Sequence, residues 1–458
     1  MSFQPGDVVE VTTQAVAQGG WCVARPPGVP VVFVRHALPG ERVIVRVTEV
    51  TTRFARGDAI EVLEPSPDRV AAPCPSAHPG GCGGCDWQHA SLPAQRALKA
   101  AVVGEQLRRL AGIDREVTVE ELPGTADGLG WRTRVQFAVD DSGLAGLRAH
   151  RSHEVIDVGV CPIAHPGIQD LGIPGRTWPG VQAVEVAVAP GQAAGGQAAP
   201  GAPAAGAVAR GAEREVVVVS DRRPEAVPDV GAEAVLSRYG RKLAPVRGRR
   251  YLTQHAAGRD WRVSAGAFWQ VHPAAADTLT ATVLAALEPK PGDTALDLYC
   301  GAGLFTGALA EAVGPQGAVT GVESDEAAVA DARYNLRDSP WAKVQRGDVG
   351  VVLRGSPPRG GPGSRGGAPR GGRGRPALPP ARLAVADPPR SGLDRAVISY
   401  LSSEKSGTER FCYVSCDPAT LARDLGLLAE RGWSLEGLRA FDAFPMTHHV
   451  ECVAWLAR

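Results

Sequence analysis

The sequence predicts an α/β chain of three units: a small β-barrel of the OB type over residues 1–65, a central α+β unit over 66–260, and a Rossmann-like parallel sheet with helices over 261–458. Three observations carry this reading. Valine-rich runs of strand length, separated by Gly/Pro turns, fill the first unit. Clustered cysteines open the second. In the third, apolar strands that end in acidic or polar residues alternate with helical patterns, the arrangement of an open α/β sheet whose strand ends carry the chemistry.

The chain has 458 residues, with 49 Lys and Arg against 49 Asp and Glu. A globally basic nucleic-acid binder is thereby excluded, and contacts to RNA or DNA must come from local patches. The abundance of Arg, Ala, Gly and Pro is explained as well by coding bias as by function. Met1–Asp7 has neither a basic n-region nor an apolar h-region, so no signal peptide is expected, and no apolar run reaches the length of a membrane span. A cytoplasmic, monomeric protein is expected, in which nine cysteines serve as metal ligands, catalysts or core rather than disulfides.

In the first unit, Val8-Val9, Val31-Val32-Phe33-Val34 and Val43-Ile44-Val45-Arg46-Val47 read as strands of a five-stranded barrel. Arg35, His36, Arg42, Arg46, Arg53 and Arg56 offer a basic face for RNA, or simply solvated arginines. Cys74, Cys82 and Cys85 then form a C-x7-C-x2-C array, with Cys161 as a distant fourth candidate. Four thiolates suit a [4Fe–4S] cluster or zinc, and spacing does not separate the two. His78 and His89 lie nearby and are expected in exposed loops.

Leu92, Ala97, Leu98, Val102, Val103, Leu107 and Leu110 recur at helical spacing, predicting an amphipathic helix from about 92 to 112. Trp131–Val139 opens a strand-rich section whose arginines either contact nucleic acid or are ordinary strand-face charges. An Ala/Gly/Pro/Gln-rich insert at about 189–211 and an Arg/Gly-rich insert at about 355–380 are expected to loop out of the fold. The second contains RGG-like repeats, which equally fit an RNA contact or compositional drift.

In the third unit, Thr294–Phe305 reads as a strand, a Gly-rich turn and a helix. No Walker Lys-Ser/Thr follows, so a P-loop is excluded. The next strand ends in Glu323, placed to accept ribose hydroxyls, and the one after it in Asp348, suited to an adenine amino group. Leu383–Ala386 runs into Asp387-Pro388-Pro389-Arg390. Phe411–Ser415 is a further strand, which delivers Cys416 to a loop just ahead of a helix beginning near Pro418. Glu451 opens the final strand.

The ordered series D-x-Y-C-G-x-G, V-E, G-D and DPPR resembles a class I S-adenosylmethionine-dependent methyltransferase. Adding the barrel run around Leu38-Pro39-Gly40-Glu41, which resembles a TRAM domain, the cysteine array, SCDPATLARDL and FPMTHHVE narrows the likeness. Together they resemble the TRAM-containing, iron–sulfur-type RNA uracil-5-methyltransferase family over nearly the whole chain apart from the two inserts. The resemblance implies Cys416 as nucleophile, Glu451 as base, and Cys74, Cys82, Cys85 and Cys161 as [4Fe–4S] ligands. It assigns S-adenosylmethionine contacts to Gln270, Tyr299, Glu323, Asp348 and Asp387; Asp387 serves either the cofactor or the pyrimidine edge. The substrate it implies is RNA, with 23S ribosomal RNA favoured over transfer RNA. His272 and Leu304 depart from the family pattern, which commonly has Asn at both places.

Uracil C5 is a weak nucleophile. A thiolate adding at C6 makes it an enolate, and a carboxylate then removes the C5 proton. The thiol needs a lowered pKa, expected from the helix N-terminus beyond Pro418. An RNA cytosine-5-methyltransferase is disfavoured because no Cys accompanies the Pro pair of DPPR. An N-P-P-Y amino-methyltransferase is disfavoured by Asp387 and leaves Cys416 idle. A non-catalytic iron–sulfur RNA-binding protein leaves both Cys416 and Glu451 idle.

Overall fold

The structure, a computed structural model, describes residues 3–191, 212–224, 226–354 and 378–458. The two expected inserts, at about 189–211 and 355–380, lie for the most part outside the described residues.

Strands Val8–Ala17, Trp21–Ala24, Val31–Arg35, Arg42–Val50 and Phe54–Glu64 close a barrel in the order first, second, third, fifth, fourth. Its alternation is strict where it is clearest: Val43, Val45 and Val47 point inward while Arg46 and Thr48 face solvent. The expected basic face is only partly present. Arg46 and Arg53 are exposed, but Arg42 is paired with Glu10 and Glu64, and Arg56 with Glu49. Arg35 is buried, 3.9 Å from Asp86, and half-buried His36 is held neutral by burial and by Arg35.

The expected helix forms as the α-helix Leu92–Gln106, which passes into a π-helical turn, Leu107–Ala111, and stops at left-handed Gly112. Ser91 caps its start, accepting from the Ala94 amide. His78 is exposed as expected, but His89 is buried against the Ala37 carbonyl. The central unit is a seven-stranded sheet with Arg134–Val139 and Ala183–Ala189 near its middle. Val135, Phe137, Val184, Val186 and Trp178 fill its core.

The third unit is an eight-stranded sheet. Its order is Ala342–Arg346, Ala318–Glu323, Thr294–Leu298, Leu383–Ala386, Arg410–Ser415, Glu451–Ala457, Ser434–Asp442 and Val119–Glu121. The first five strands are parallel, and the inner three of the parallel set nearest the site, Thr294–Leu298, Leu383–Ala386 and Arg410–Ser415, are almost wholly buried, as strands covered on both faces require, while the edge strand Ala342–Arg346 is polar. Helices Ala275–Leu287 and Leu304–Val313 pack on one face, Arg395–Leu401 and Pro418–Ala429 on the other. At a bulge beside Gly437 the Trp455 ring lies so close that a Cβ would sit 1.9 Å from its Cζ2. Two earlier segments join this sheet. Val119–Glu121 adds at its edge, parallel to Ala440–Asp442. The hairpin of Tyr251–Ala256 and Arg259–Ser264 packs Trp261 into the same core and bonds Asp331 through Ser264. Among the described residues, no helix is long and apolar enough to cross a membrane.

Candidate active site

The parallel strands bring their carboxyl ends to one edge, where a doubly wound sheet gathers its ligands. Ser415 pairs with Cys452 across antiparallel strands, so Cys416 and Glu451 stand at the same end of neighbouring strands. Asp387 follows Ala386, which pairs with Tyr413 on the strand leading to Cys416. The site therefore owes its geometry to strand register, and a one-residue slip would turn Glu451 to the opposite face.

Burial and the neighbouring carboxylates Glu451 and Asp387 push the Cys416 thiol up to about 12, with Arg390, hydrogen-bonded to it, opposing them. Glu451 is buried and raised well above the usual carboxylate range by desolvation and by Asp387, again opposed by Arg390. Asp387 is raised by burial and by Asp297. The lowered thiol pKa expected from the helix N-terminus is thus not what forms. The reason is burial, joined by the carboxylates of Glu451 and Asp387; the helix Pro418–Ala429 is itself capped by Asp417, which accepts from the Thr420 amide at 2.8 Å. The cation facing the thiol is Arg390 instead. His449 Nε2 lies 3.4 Å from the Arg390 guanidinium, and Asp417 Oδ2 accepts from Gln18 of the barrel at 3.3 Å. Beyond Gln18 a groove between barrel and helix is floored by half-buried Phe33 and Phe54, with exposed Arg25 and Arg53 at its rim.

The Gly-rich turn has the shape of a nucleotide cradle. Tyr299 and Gly303 both take positive φ (70° and 94°), which turns the chain sharply from strand to helix. Glu323 accepts from the amides of Gly301, Ser324 and Asp325, leaving lone pairs for ligand hydroxyls. Beside it an open cleft is lined by Gly301, Glu323, Asp325, Arg238, Ala267 and Phe268, the last 67% exposed. Exposed Asp348 caps the short helix Val349–Leu353 through the Val351 amide. Half-buried Tyr299 is pushed up to about 12 by burial. Gln270 donates to Asp387 Oδ2 at 3.4 Å, which links the cofactor residues to the Cys416 end. Beneath the turn, Asp297 Oδ2 accepts from Thr306 while its buried Oδ1 finds no partner among the described residues. His272 is a structural group: its Nδ1 accepts from the Ala274 amide, so Nε2–H faces Thr125, and burial lowers it to about 4.

Cys74, Cys82, Cys85 and Cys161 are free thiols lining one small cavity with Arg132. Burial and the other thiols raise Cys82 and Cys85. The Gly84 amide points at Cys82 Sγ, 3.3 Å away. Among the described residues, no group of three or more His, Cys, Asp or Glu converges tightly enough to hold a metal ion.

Comparison with known proteins agrees with this geometry. Residues 382–458 match the tRNA (Uracil-5-)-methyltransferase family, residues 2–60 the TRAM domain, and residues 289–350 a methyltransferase domain. An uncharacterized RNA methyltransferase of Streptomyces coelicolor is 46% identical, over 98% of this chain and 93% of its own. One from Bifidobacterium longum is 34% identical, over 98% and 96%. The chain belongs to the TRAM-containing RNA uracil-5-methyltransferase family. Among solved structures, the Pyrococcus abyssi tRNA (uracil-54, C5)-methyltransferase in complex with S-adenosyl-L-homocysteine has the same fold. It gives a TM-score of 0.68 at 21% identity, covering 98% of this chain and all of that one. Family and fold make the protein an S-adenosylmethionine-dependent RNA methyltransferase with RNA as its partner.

Sequence reasoning left Arg390 without a role, although it faces both Cys416 and Glu451. The signal was present, since DPPR puts a cation three residues past Asp387 at a strand end. Gln95 and Lys99 left no such trace.

Proposed function

We propose that the protein methylates C5 of a uridine in RNA, with Cys416 as nucleophile and Glu451 as base. The observation that carries this is their shared strand end, with Arg390 against both. Cys416 Sγ bonds to uracil C6 and the electron pair moves to C5 and O4. S-adenosylmethionine supplies the methyl group that C5 takes up. Glu451 then removes the C5 proton, the C5–C6 double bond re-forms and the thiolate leaves. Arg390 steadies the thiolate that its buried surroundings otherwise disfavour. Burial raises both Cys416 and Glu451, and Arg390 opposes the shift at each.

Gln270, Tyr299, Glu323, Asp348 and Asp387 are the proposed contacts to the methyl donor. The open cleft and the unpartnered Asp297 oxygen beneath the Gly-rich turn support this set. Asp387, bonded to Gln270 and close enough to influence Cys416 and Glu451, sits where donor and pyrimidine meet. The aromatic-floored groove leading away from Gln18 suits the bases flanking the target, which stack on aromatic rings in single-stranded RNA.

Cys74, Cys82, Cys85 and Cys161 are proposed to hold a [4Fe–4S] cluster. Four thiols on one cavity suit it, and so does an amide aimed at sulfur. Such a cluster would brace the loop around Cys82–Cys85. The iron–sulfur members of the resemblance are closer to ribosomal-RNA enzymes than to transfer-RNA ones, which favours 23S ribosomal RNA as the substrate. Transfer RNA is the second reading, favoured by the description of the family matched at residues 382–458.

Incubating Cys416→Ala with methyl-labelled S-adenosylmethionine and unmodified RNA tests the mechanism. Loss of methylation is expected, and full methylation overturns it. Mapping 5-methyluridine in ribosomal and transfer RNA, with and without the protein, decides the substrate.

A further inference from the structure

Glu451 is introduced by an eight-residue loop, Ala443–Val450, that the N-terminal half of the chain holds closed. Met446 takes φ +67°, a left-handed conformation that a non-Gly residue keeps only when its surroundings impose it. Those surroundings are Asp86, Trp87, Gln95 and Lys99. The amides of Asp86 and Trp87 both donate to the Met446 carbonyl at 3.0 Å. Gln95 Oε1 accepts from the Met446 amide at 2.7 Å, and its Nε2 is tied to the carbonyls of Trp87 and Ala90. Asp86 Oδ2 accepts from the His448 amide at 3.1 Å and from its Nδ1 at 2.6 Å. Lys99, fully buried, donates to Asp442 Oδ1 and, at 3.0 Å, to the Phe444 carbonyl. The start of the loop, its middle and His448, three residues before Glu451, are fixed by residues 343 to 362 positions earlier.

None of these four residues lies among those through which substrate or methyl donor is proposed to bind. Their geometry nonetheless determines where the base stands. We propose that Asp86, Gln95 and Lys99 form a latch that positions Glu451, and that it acts on the last step of the reaction, proton removal from C5. This rests on the assignment of Glu451 as base. Among the described residues, Asp86, Gln95 and Lys99 make no hydrogen bond to the Cys416 loop on which thiol addition and methyl transfer depend; the held loop reaches the thiol side only through His449, 3.4 Å from Arg390. Loosening the latch should therefore stop the reaction after the methyl has moved and before the thiolate leaves.

That arrest has a signature which general destabilisation lacks: a methylated RNA covalently bound to Cys416 that survives denaturation. The test compares three variants that loosen the latch, Asp86→Asn, Gln95→Met and His448→Ala (which removes the partner of Asp86), with Glu451→Gln, each full length, on unmodified RNA with methyl-labelled S-adenosylmethionine. Denaturing gels read the adduct, and thermal melting with S-adenosylhomocysteine affinity reads fold integrity. The latch variants should lose turnover by about 10²-fold, the scale for slight misplacement of a reacting group, while accumulating labelled adduct and still binding S-adenosylhomocysteine. Adduct in Glu451→Gln but in none of the latch variants overturns the latch and leaves the base assignment standing. No adduct in Glu451→Gln overturns the base assignment and the latch with it. Unchanged turnover in all three latch variants also overturns the proposal.

Discussion

Among the described residues, the cysteines of the central unit and the cysteine of the sheet edge are surrounded in opposite ways. In the central unit four thiols share one pocket, where burial first and neighbouring thiols second raise Cys82, Cys85 and Cys161, with the guanidinium of Arg132 on the wall. At the sheet edge one thiol, Cys416, meets one guanidinium, Arg390, and two carboxylates, Glu451 and Asp387. Thiols that mutually suppress ionisation need an external positive charge to become thiolates together, which is the condition of a ligand set. A thiol matched with one cation and two carboxylates, one of them the proposed base, has what it needs to be made and released within one cycle, which is the condition of a nucleophile. Residue type is the same in both; the count and sign of the neighbours differ.

The comparison breaks most sharply by exchange of function. Cys416→Ser should abolish covalent capture of 5-fluorouridine RNA and lower methylation by about 10³-fold or more, in line with loss of a nucleophile. Cys82→Ser should leave capture measurable while removing bound iron, read by metal analysis. Capture surviving in Cys416→Ser would erase the distinction. A smaller effect is expected from the pH dependence. Because the Cys416 pKa lies above its usual value, the thiol is neutral at physiological pH and ionises only as pH rises through about 12. Alkylation by iodoacetamide should therefore keep climbing through the alkaline range. Glu451→Gln should make alkylation faster at a given pH and Arg390→Ala slower; a shift of either in the opposite sense contradicts the assigned charges. In stability, Lys99→Met leaves Asp442 buried without its partner and should cost about 3–5 kcal/mol in denaturant unfolding. Lys99→Met combined with Asp442→Leu should recover most of that.

The sequence made the catalytic edge readable because strand ends carry a local signature. An apolar run that stops at Asp387, Cys416 or Glu323 announces both the strand and its polar tip, and the structure keeps all three there. The barrel was readable for the same reason, through alternation at Val43, Val45 and Val47. What stayed hidden depends on partners distant in sequence. Lys99 looks like the solvent side of an amphipathic helix, yet it is buried, because Asp442 arrives 343 residues later. Leu110, counted toward the apolar face, is 50% exposed at the π-helical end. Arg35 looked like RNA-binding surface and instead faces Asp86. The failed expectation of a lowered thiol pKa came from reading the helix N-terminus without the burial of Cys416 and without Glu451 and Asp387, which come from other strands.

The short strand Val119–Glu121, closing one edge of the eight-stranded sheet, bears on how the protein is made. It leaves the ribosome long before the strand it pairs with, Ser434–Asp442, so for most of synthesis it waits beside a sheet that does not yet exist. Joining ends this far apart has an entropic cost that grows only slowly with length, but it delays completion until nearly the last residues emerge. A fragment cut at residue 261 lacks that strand altogether and would present the Ser434–Asp442 backbone as an open edge, a template for pairing with other chains. Biosynthesis from the N-terminus thus supplies the cover before the edge that requires it.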